Sequence, residues 1–343
     1  MTAALRVVDT GLNPACWNVA MTAAMMEMRR AGRIPDTLRF HRYPRSVLVG
    51  RHEALQSVVD LPLCRARDIA VARRITGGGA VYMSPGVLAW EVTADLRSVG
   101  GDLETVARRL GEAVAQGLGS LALDARYRAP NDVEIDGRKI GGACGYVDGT
   151  TLVYQGAVLI AVDLVEMVAA LALPASVDER LTTVSDVLAQ TVTHEQVTGA
   201  LAVAIAERLG RRLSTAEVQA AEQALALTML AQEIGDDAFI DGVDPQRGAS
   251  RRSARPLASG VAAHVRVHPG VERRIDQIWL TGAFSLTPER ALPDLEAALR
   301  GLPLARAASH ALVFLDDRQI SVHGVSRLDI ATAIAAAAQE TSP

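Results

Sequence analysis

Short apolar strands separated by turn residues dominate the first half of the chain, and this pattern constrains the fold most strongly. The predicted strands cover residues 38–49 (two short strands), 70–75, 87–93, 132–137, 139–146 and 152–160. Helical apolar spacing predicts helices over residues 13–30, 58–65, 102–121, 164–173, 185–209 and 214–232. Strands followed by packing helices predict an α+β sheet domain rather than a regular alternation of strands and helices.

A composition change near residue 241 predicts a domain boundary. Residues 241–259 are rich in Gly, Pro, Ser and Arg and lack an apolar period, as is typical of a linker. Beyond it, strands are predicted over 261–267, 274–280 and 311–315, and helices over 292–300 and 327–339. We therefore predict a large domain over 1–240, a linker over 241–259 and a small α+β domain over 260–343.

Composition excludes several classes of function. A net charge of −4 and 3% aromatic residues give no electrostatic drive or stacking platform for nucleic acid. The three cysteines (Cys16, Cys64 and Cys144) form no CxxC pair, so we predict neither a disulfide framework nor a metal site. No signal peptide or membrane span is recognised, since the apolar stretch 151–173 contains internal charges. We expect a soluble, cytoplasmic protein.

Lys139 is the one lysine among the 35 basic residues of the chain. One interpretation is chance survival in a sequence that uses arginine everywhere else. The other is that this position needs a compact point charge, which the planar guanidinium group of arginine cannot supply. The local sequence decides between them.

A glycine-rich segment follows the strand predicted over 70–75. It begins with Arg73-Arg74 and continues through Gly77-Gly78-Gly79 to Tyr82. Glycines let the backbone approach a ligand closely, and their N–H groups can form a nest for an anion. The two arginines can add an anion clamp. A tight structural turn is the alternative, and neither a P-loop lysine nor GxGxxG spacing is present.

The lysine lies in a second segment, Asn131-Asp132-Val133-Glu134-Ile135-Asp136-Gly137-Arg138-Lys139-Ile140-Gly141-Gly142. The simplest interpretation is a hairpin with an exposed lysine. Against it, Arg138 already supplies a solvated charge, and the chain uses arginine for that purpose elsewhere.

Together the two segments resemble the lipoate–protein ligase A family of the biotin/lipoate protein ligase superfamily. That family carries RRxSGGGAVxH followed by NDxxxxGRKIxG, and here Thr76 stands for the serine. Residues 42–51 resemble the family's Pro-x-x-x-x-x-Gly-Arg stretch, and 271–301 resemble its small C-terminal accessory domain. The resemblance spans nearly the whole chain. It implies a central mixed sheet flanked by helices, plus a small α+β accessory domain.

The resemblance also implies a reaction. The family activates lipoate or octanoate with ATP, accompanied by Mg²⁺, to an acyl-AMP, and passes the acyl group to a lysine of a lipoyl carrier domain. Such carriers are a dehydrogenase E2 or a glycine-cleavage H-like protein. We expect a monomer whose 152–160 strand lines the acyl channel.

The resemblance also implies the site residues, through their positions in the two motifs. Lys139 is implied as the catalytic cation that bridges the acid oxygen and the α-phosphate, where two anions must meet. The residues implied in binding are Arg73, Arg74, Thr76, Gly77, Gly78, Gly79, Ala80, Val81, Tyr82, Asn131, Asp132, Gly156 and Ala157. Asn131 and Asp132 would read adenine or orient Mg²⁺.

Two departures from the family pattern touch the acyl or nucleotide pocket. The histidine expected after the GGGAV segment is absent, because Tyr82 is followed by Met83. The family's His-Gly-Thr is Gln155-Gly156-Ala157 here. Two alternatives stay open: an ATP-independent octanoyl or lipoyl transferase, and a non-enzymatic acyl- or carrier-binding paralogue. The transferase needs a nucleophilic cysteine, and no cysteine follows Cys144.

Overall fold

The computed structural model describes residues 3–242, 251–252, 260–268 and 273–339. It forms two compact units. The N-terminal unit comprises Met1–Leu48, Val58–Ile75 and Val81–Ile240, and the C-terminal unit comprises Val49–Ser57, Thr76–Ala80 and Asp241–Pro343. Most of the predicted linker lies outside the described residues, so the boundaries at 240 and 260 stay a prediction.

The N-terminal unit is a mixed sheet flanked by helices. Its strands are β1 (Ala4–Leu12), β2 (Thr37–Arg42), β3 (Ser46–Val49), β4 (Ala70–Arg73), β5 (Val81–Met83), β6 (Val87–Asp95), β7 (Arg126–Arg128), β8 (Asp132–Ile135), β9 (Arg138–Asp148), β10 (Thr151–Leu159) and β11 (Arg212–Thr215). Its helices are α1 (Ala15–Arg30), α3 (Leu61–Ala66), α4 (Leu96–Val99), α5 (Leu103–Gly119), α6 (Leu164–Ala170), α7 (Val184–Leu188), α8 (His194–Leu209), α9 (Ala220–Met229) and α10 (Asp237–Asp241). The short helix α2 (Leu55–Val58) belongs mostly to the C-terminal unit.

Eight strands form the main sheet in the order β11-β1-β2-β6-β10-β9-β8-β7. β1 runs parallel to β2 and to β11, while the pairs from β2 to β7 are antiparallel. The mixed sheet predicted from the family resemblance is therefore confirmed. A second sheet has the order β4-β3-β5.

One face of the main sheet carries the hydrophobic core. Trp90, Leu152 and Tyr154 on the strands are buried in the same cluster as Leu110 of α5 and Leu201 of α8. α5 begins at Leu103 because the Asp102 carboxylate accepts the Thr105 N–H (2.8 Å). Helices α5 and α8 thus cover this face, which we call the core face.

The opposite face of the sheet packs on α1 through a buried ion pair. Arg39 of β2 and Glu91 of β6 are both fully buried, with Nη1 and Oε1 3.1 Å apart. Thr22 of α1 donates its hydroxyl to Glu91 Oε2 (2.7 Å), and Arg39 Nη2 donates to Asn18 Oδ1 (2.6 Å). Because every partner is itself buried, each charge depends on the other for compensation. We call this side of the sheet the polar face.

The C-terminal unit has its own core. Its strands are β12 (Arg251–Arg252), β13 (Ala262–Val267), β14 (Ile275–Thr281), β15 (Ser285–Thr287) and β16 (Ser321–His323), and its helices are α11 (Ala291–Leu299), α12 (Leu304–Asp317) and α13 (Arg327–Gln339). Strands β12, β13 and β14 form one sheet, and β15 pairs with β16. Leu280, Phe284, Leu295, Leu315 and Ile334 belong to one buried cluster.

Two local predictions were wrong, and one strand was missed. Residues 311–315, predicted as a strand, lie in α12, where Ala311 and Leu315 face the core at helical spacing. Residues 214–232 do not form one helix, because 212–215 instead pair with β1 as an edge strand. A first strand, β1, was not predicted at all.

Among the described residues, no helix is both long and apolar enough to cross a membrane.

The buried ion pair predicts a large loss of stability when one partner is removed. Glu91→Leu leaves the Arg39 guanidinium uncompensated and should lower the free energy of unfolding by about 3–5 kcal/mol. Urea unfolding followed by circular dichroism measures it. Glu27→Leu, which breaks an exposed pair with Arg30, is the control and should change stability by less than about 1 kcal/mol.

The double variant Arg39→Met/Glu91→Leu should be more stable than Glu91→Leu alone, because it buries no single charge. A double variant that is no more stable would contradict the assigned role of the pair.

Candidate active site

An extra residue in β9 decides which side of the sheet Lys139 occupies. Val133 pairs with Gly141 and Glu134 pairs with Lys139, so Ile140 is an additional residue opposite β8. Ile140 is buried in the core. Without this β-bulge, strict alternation would place Lys139 on the core face with Gly141. The bulge turns Lys139 to the polar face.

Small residues form a row across the centre of the polar face. The register pairs His41 with Ala89, Ala89 with Ala157, Ala157 with Gly142, and Gly142 with Asp132. Three strand spacings of about 4.8 Å separate His41 from Gly142, or about 14 Å. Gly142 and Ala157 are partly exposed. We call His41, Ala89, Ala157, Gly142 and Asp132 the small-residue row.

Lys139 lies over the Gly142 end of this row. Its Nζ is 2.6 Å from Asp132 Oδ1, and the Lys139 side chain is 41% exposed. A Cβ at position 142 would lie 2.8 Å from both Cε and Nζ of Lys139. The glycine therefore lets the lysine side chain lie flat against the strand, with the ammonium beside Asp132 at the end of the row.

The other end of the row is deep and polar. His41 is 2% exposed, and its Nε2 is 3.1 Å from the Tyr43 hydroxyl. Burial, together with the nearby Arg39 charge, holds the pKa of His41 well below its ordinary value. Burial likewise raises the pKa of Tyr43. Both groups are therefore neutral at pH 7.

The next row of paired residues on the polar face, beside the small-residue row, contains a thiol. Glu91 pairs with Gln155, and Gln155 pairs with Cys144. Gln155 Nε2 lies 3.7 Å from Cys144 Sγ. Because of the bulge, Cys144 shares the polar face with Lys139 and lies two residues, or about 7 Å, along β9 from Gly142.

The glycine segment packs within the C-terminal unit. A Cβ at Gly77 would lie 2.5 Å from the Phe284 carbonyl oxygen, and Gly78 has φ +87°. The ring of His52 stacks on that of Phe284 at 5.5 Å, and Gly282 donates its N–H to the His52 carbonyl (3.0 Å). Packing thus accounts for Gly77, and the left-handed backbone accounts for Gly78. The phosphate-binding role of residues 76–80 stays a prediction.

The neighbouring predicted residues have internal partners in the N-terminal unit. Arg73 Nε donates to the Phe239 and Ile240 carbonyls (3.1 and 3.0 Å), and Arg74 Nη1 donates to the Leu48 carbonyl (2.7 Å). Both arginines are nearly fully buried. Val81 is exposed at the start of β5.

Tyr82, which precedes the missing family histidine, donates its hydroxyl to Glu166. Burial first, and then this bond, raises the pKa of Tyr82 to about 12. Arg45 also binds Glu166 (Nε to Oε2, 2.9 Å) and, as the main cause, lowers the pKa of Glu166. Tyr82 is therefore held inside an ion-paired cluster.

Two other residues predicted to bind ligands have structural roles in the sheet. Asn131 donates its side-chain amide to the Ala143 carbonyl (2.8 Å) and so secures the end of β8 against β9. Gly156 lies on the core face, where a Cβ would come within 2.6 Å of the Trp90 ring. The structure brings together Lys139, Asp132 and Ala157, and it adds His41, Tyr43 and Cys144.

His41 and Tyr43 were not predicted as site residues, because only the pairing of β2 with β6 places His41, with Tyr43 beside it, on the lysine's side of the sheet. The segment beside Lys139 was not predicted either; there the Thr182 N–H donates to the Lys139 carbonyl (3.0 Å). Within the described ranges, no three His, Cys, Asp or Glu side chains form a group that could hold a metal ion.

Residues 14–206, more than half of the chain, match the lipoyl protein ligase A/B catalytic domain. Octanoyltransferase LipM of Kyrpidia tusciae is 25% identical over 265 residues, which cover 68% of this chain and 97% of the relative.

Two solved structures are similar in both sequence and fold. The bi-partite lipoate protein ligase of Thermoplasma acidophilum, studied with its E2 lipoyl domain, is 29% identical with a TM-score of 0.62, covering 71% of this chain and 97% of that one. A lipoate-protein ligase A bound with ATP is 27% identical with a TM-score of 0.63, covering 71% and 99%. The chain belongs to the lipoyl protein ligase A/B catalytic domain family.

Proposed function

We propose that this protein attaches a lipoyl or octanoyl group to a lysine of a lipoyl carrier domain. The observation that carries the proposal is the position of the chain's one lysine. Lys139 is partly exposed, is oriented by Asp132 and lies at one end of the small-residue row. An ammonium at the end of a row of small apolar residues suits a ligand with an anionic head and an extended chain.

The acyl chain would lie across the strands, over Gly142, Ala157 and Ala89. These residues have at most one side-chain carbon, so they leave room for an alkyl chain where larger side chains would fill the space. The row is about 14 Å long from Gly142 to His41, comparable with an extended eight-carbon acyl group. The head group would then lie at Lys139, where a carrier lysine can approach from solvent.

We propose ATP as the source of activation. One carboxylate oxygen attacks the α-phosphorus and pyrophosphate leaves, giving acyl-AMP. The carrier's lysine amine then attacks the acyl carbonyl, the amide forms, and AMP leaves with the amine's proton lost to solvent. The Lys139 ammonium reduces the repulsion between the carboxylate and the α-phosphate in the first step. The similar ligase that binds ATP supports this route.

Magnesium would arrive with the nucleotide. Mg²⁺ in such sites is held by phosphate oxygens, waters and one or two carboxylates rather than by a cage of protein ligands. Asp132, beside Lys139, is the carboxylate that fits this requirement on the polar face. The ion would neutralise phosphate charge.

A second candidate function is ATP-independent transfer, favoured by Cys144 and by the similarity to an octanoyltransferase. The Cys144 thiolate would attack a carrier-bound acyl thioester, releasing the first carrier's thiol and leaving the acyl group on Sγ. The second carrier's lysine amine would then take the acyl group and regenerate the thiol.

The first test concerns the ammonium. Lys139→Ala should reduce lipoate-dependent ATP–pyrophosphate exchange at least about a hundredfold, the size of a lost charge-stabilising donor. Lys139→Arg should lose the exchange activity as well, because a planar guanidinium group does not replace a point charge between two anions. Arg138→Ala, next to it in the chain, is the control. Exchange above a tenth of wild type in Lys139→Ala would remove Lys139 from the mechanism.

The second test concerns the glycine beneath the lysine. Gly142→Ala places a methyl group against the flexible end of Lys139, 2.8 Å from Cε and Nζ. The lysine can swing away, so stability should change by less than about 1 kcal/mol, while transfer to a carrier domain falls at least about tenfold. Gly119→Ala, where a Cβ meets nothing within 4 Å, should leave both unchanged. Full activity in Gly142→Ala would show that the lysine's placement is unimportant.

The third test separates the two routes. Cys144→Ala should keep ATP- and lipoate-dependent transfer within about fivefold of wild type, since the ATP route uses no thiol. The wild-type protein should be incubated with a carrier that holds an octanoyl group as a thioester. Mass spectrometry should then find no hydroxylamine-sensitive acyl group on the wild-type protein itself. An acyl adduct on Cys144, with transfer that needs no ATP and is abolished in Cys144→Ala, would establish the second candidate instead.

A further inference from the structure

A carboxylate is buried beside the glycine segment within the C-terminal unit. Glu53 is 7% exposed, and its Oε2 accepts the Gly50 N–H at 3.1 Å. A Cβ built on Gly50 would lie 1.8 Å from the Gly78 carbonyl oxygen, and one built on Gly79 would lie 3.9 Å from Glu53 Oε1. The acidic side chain therefore lies against residues 76–80, the segment predicted to hold an anion.

The basic side chains nearest to this segment in the sequence already have partners. The two arginines that precede it donate to main-chain carbonyls of the N-terminal unit. Arg51, whose N–H donates to the Thr76 carbonyl (2.9 Å), forms an ion pair with Glu289, with Nη2 and Oε1 3.0 Å apart. The Arg51 charge is thus shared with a carboxylate before any ligand arrives.

Electrostatics then depend on the form in which a phosphate group approaches. Residues 78–80 are partly accessible to solvent, so a phosphate can reach this side of the segment. The charge of a nearby buried carboxylate opposes a bare phosphate, because repulsion is strong where little water separates two anions. A divalent cation bound to the phosphate oxygens changes the sign of this interaction, since carboxylates attract hard cations. The effect acts at a distance and requires no contact with Glu53.

We infer that Glu53 makes the glycine segment selective for phosphate groups that carry a bound divalent cation. The inference rests on the proposed function, in which ATP is the source of activation and its β- and γ-phosphates reach this segment. Bare nucleotide is repelled, whereas the magnesium complex of the nucleotide is accepted. Glu53 is therefore a specificity-determining residue for the form of the nucleotide.

The experiment measures ATP binding to the full chain by isothermal titration calorimetry, once with excess Mg²⁺ and once with EDTA. Lipoate is left out, so that no acyl-AMP forms. We expect wild type to bind ATP at least about tenfold more tightly with Mg²⁺ than with EDTA. Glu53→Gln keeps an oxygen that can accept the Gly50 N–H but removes the charge. It should tighten the binding of metal-free ATP at least about fivefold, without tightening that of the magnesium complex.

A matched variant and a measurement on wild type keep the test interpretable. Glu207→Gln makes the same change of charge at an exposed position of α8 and should leave both affinities unchanged. If Glu53→Gln fails to fold, wild type titrated with AMP, ADP and ATP takes its place. With EDTA each added phosphate should weaken binding, and with Mg²⁺ each should strengthen it. Metal-free ATP that binds more tightly than AMP would overturn the inference.

The outcomes distinguish the inference from the function on which it rests. If Glu53→Gln tightens the binding of metal-free ATP by less than about twofold, or weakens it, the inference is overturned and the proposed function stands. Equal affinity of wild type for ATP with and without Mg²⁺ has the same meaning. Failure of wild type to bind ATP under either condition would overturn the ATP-dependent route and the inference together.

Discussion

The β-bulge at Ile140 is the constraint on which the candidate site depends. Side chains alternate between the two faces of a strand, so one extra residue moves everything on one side of it to the opposite face. Ile140 enters the core, and Lys139 turns to the face that carries Gly142 and Cys144. The Asn131 side chain, bonded to the Ala143 carbonyl, secures the strands next to the bulge. Remove the extra residue and the lysine would have to point into a hydrophobic cluster.

The polar face places its functional groups by strand register rather than by loops. Strands β2, β6, β10, β9 and β8 each contribute one residue to the small-residue row. The buried Arg39–Glu91 pair lies in the adjacent row and fixes α1 against β2 and β6. A mutation that breaks this pair would therefore lower the free energy of unfolding and also disturb the His41 end of the small-residue row. In this way a structural ion pair and the proposed acyl-binding face belong to one sheet.

Much of the fold was predictable from the sequence, because strands β6, β9 and β10 follow clear apolar patterns with turn residues between them. The lysine was recognisable from its uniqueness and from its glycine-rich neighbours. The bulge was not, since one added residue leaves no mark in a strand's composition. His41 was not either, because its importance arises only when β2 pairs with β6. The strand predicted at 311–315 failed because a short apolar run fits a buried helix equally well.

The central claim is that an acyl chain lies along the small-residue row, with its head at Lys139 and its far end at His41. A crystal structure of the protein with bound lipoate, with the sulfur atoms located from their anomalous scattering, tests this claim most directly. The account predicts both sulfur peaks beside His41 and Tyr43, with the carboxylate density within hydrogen-bond distance of Lys139 Nζ. Sulfur peaks beside Lys139, or a ligand bound away from the polar face, would contradict it.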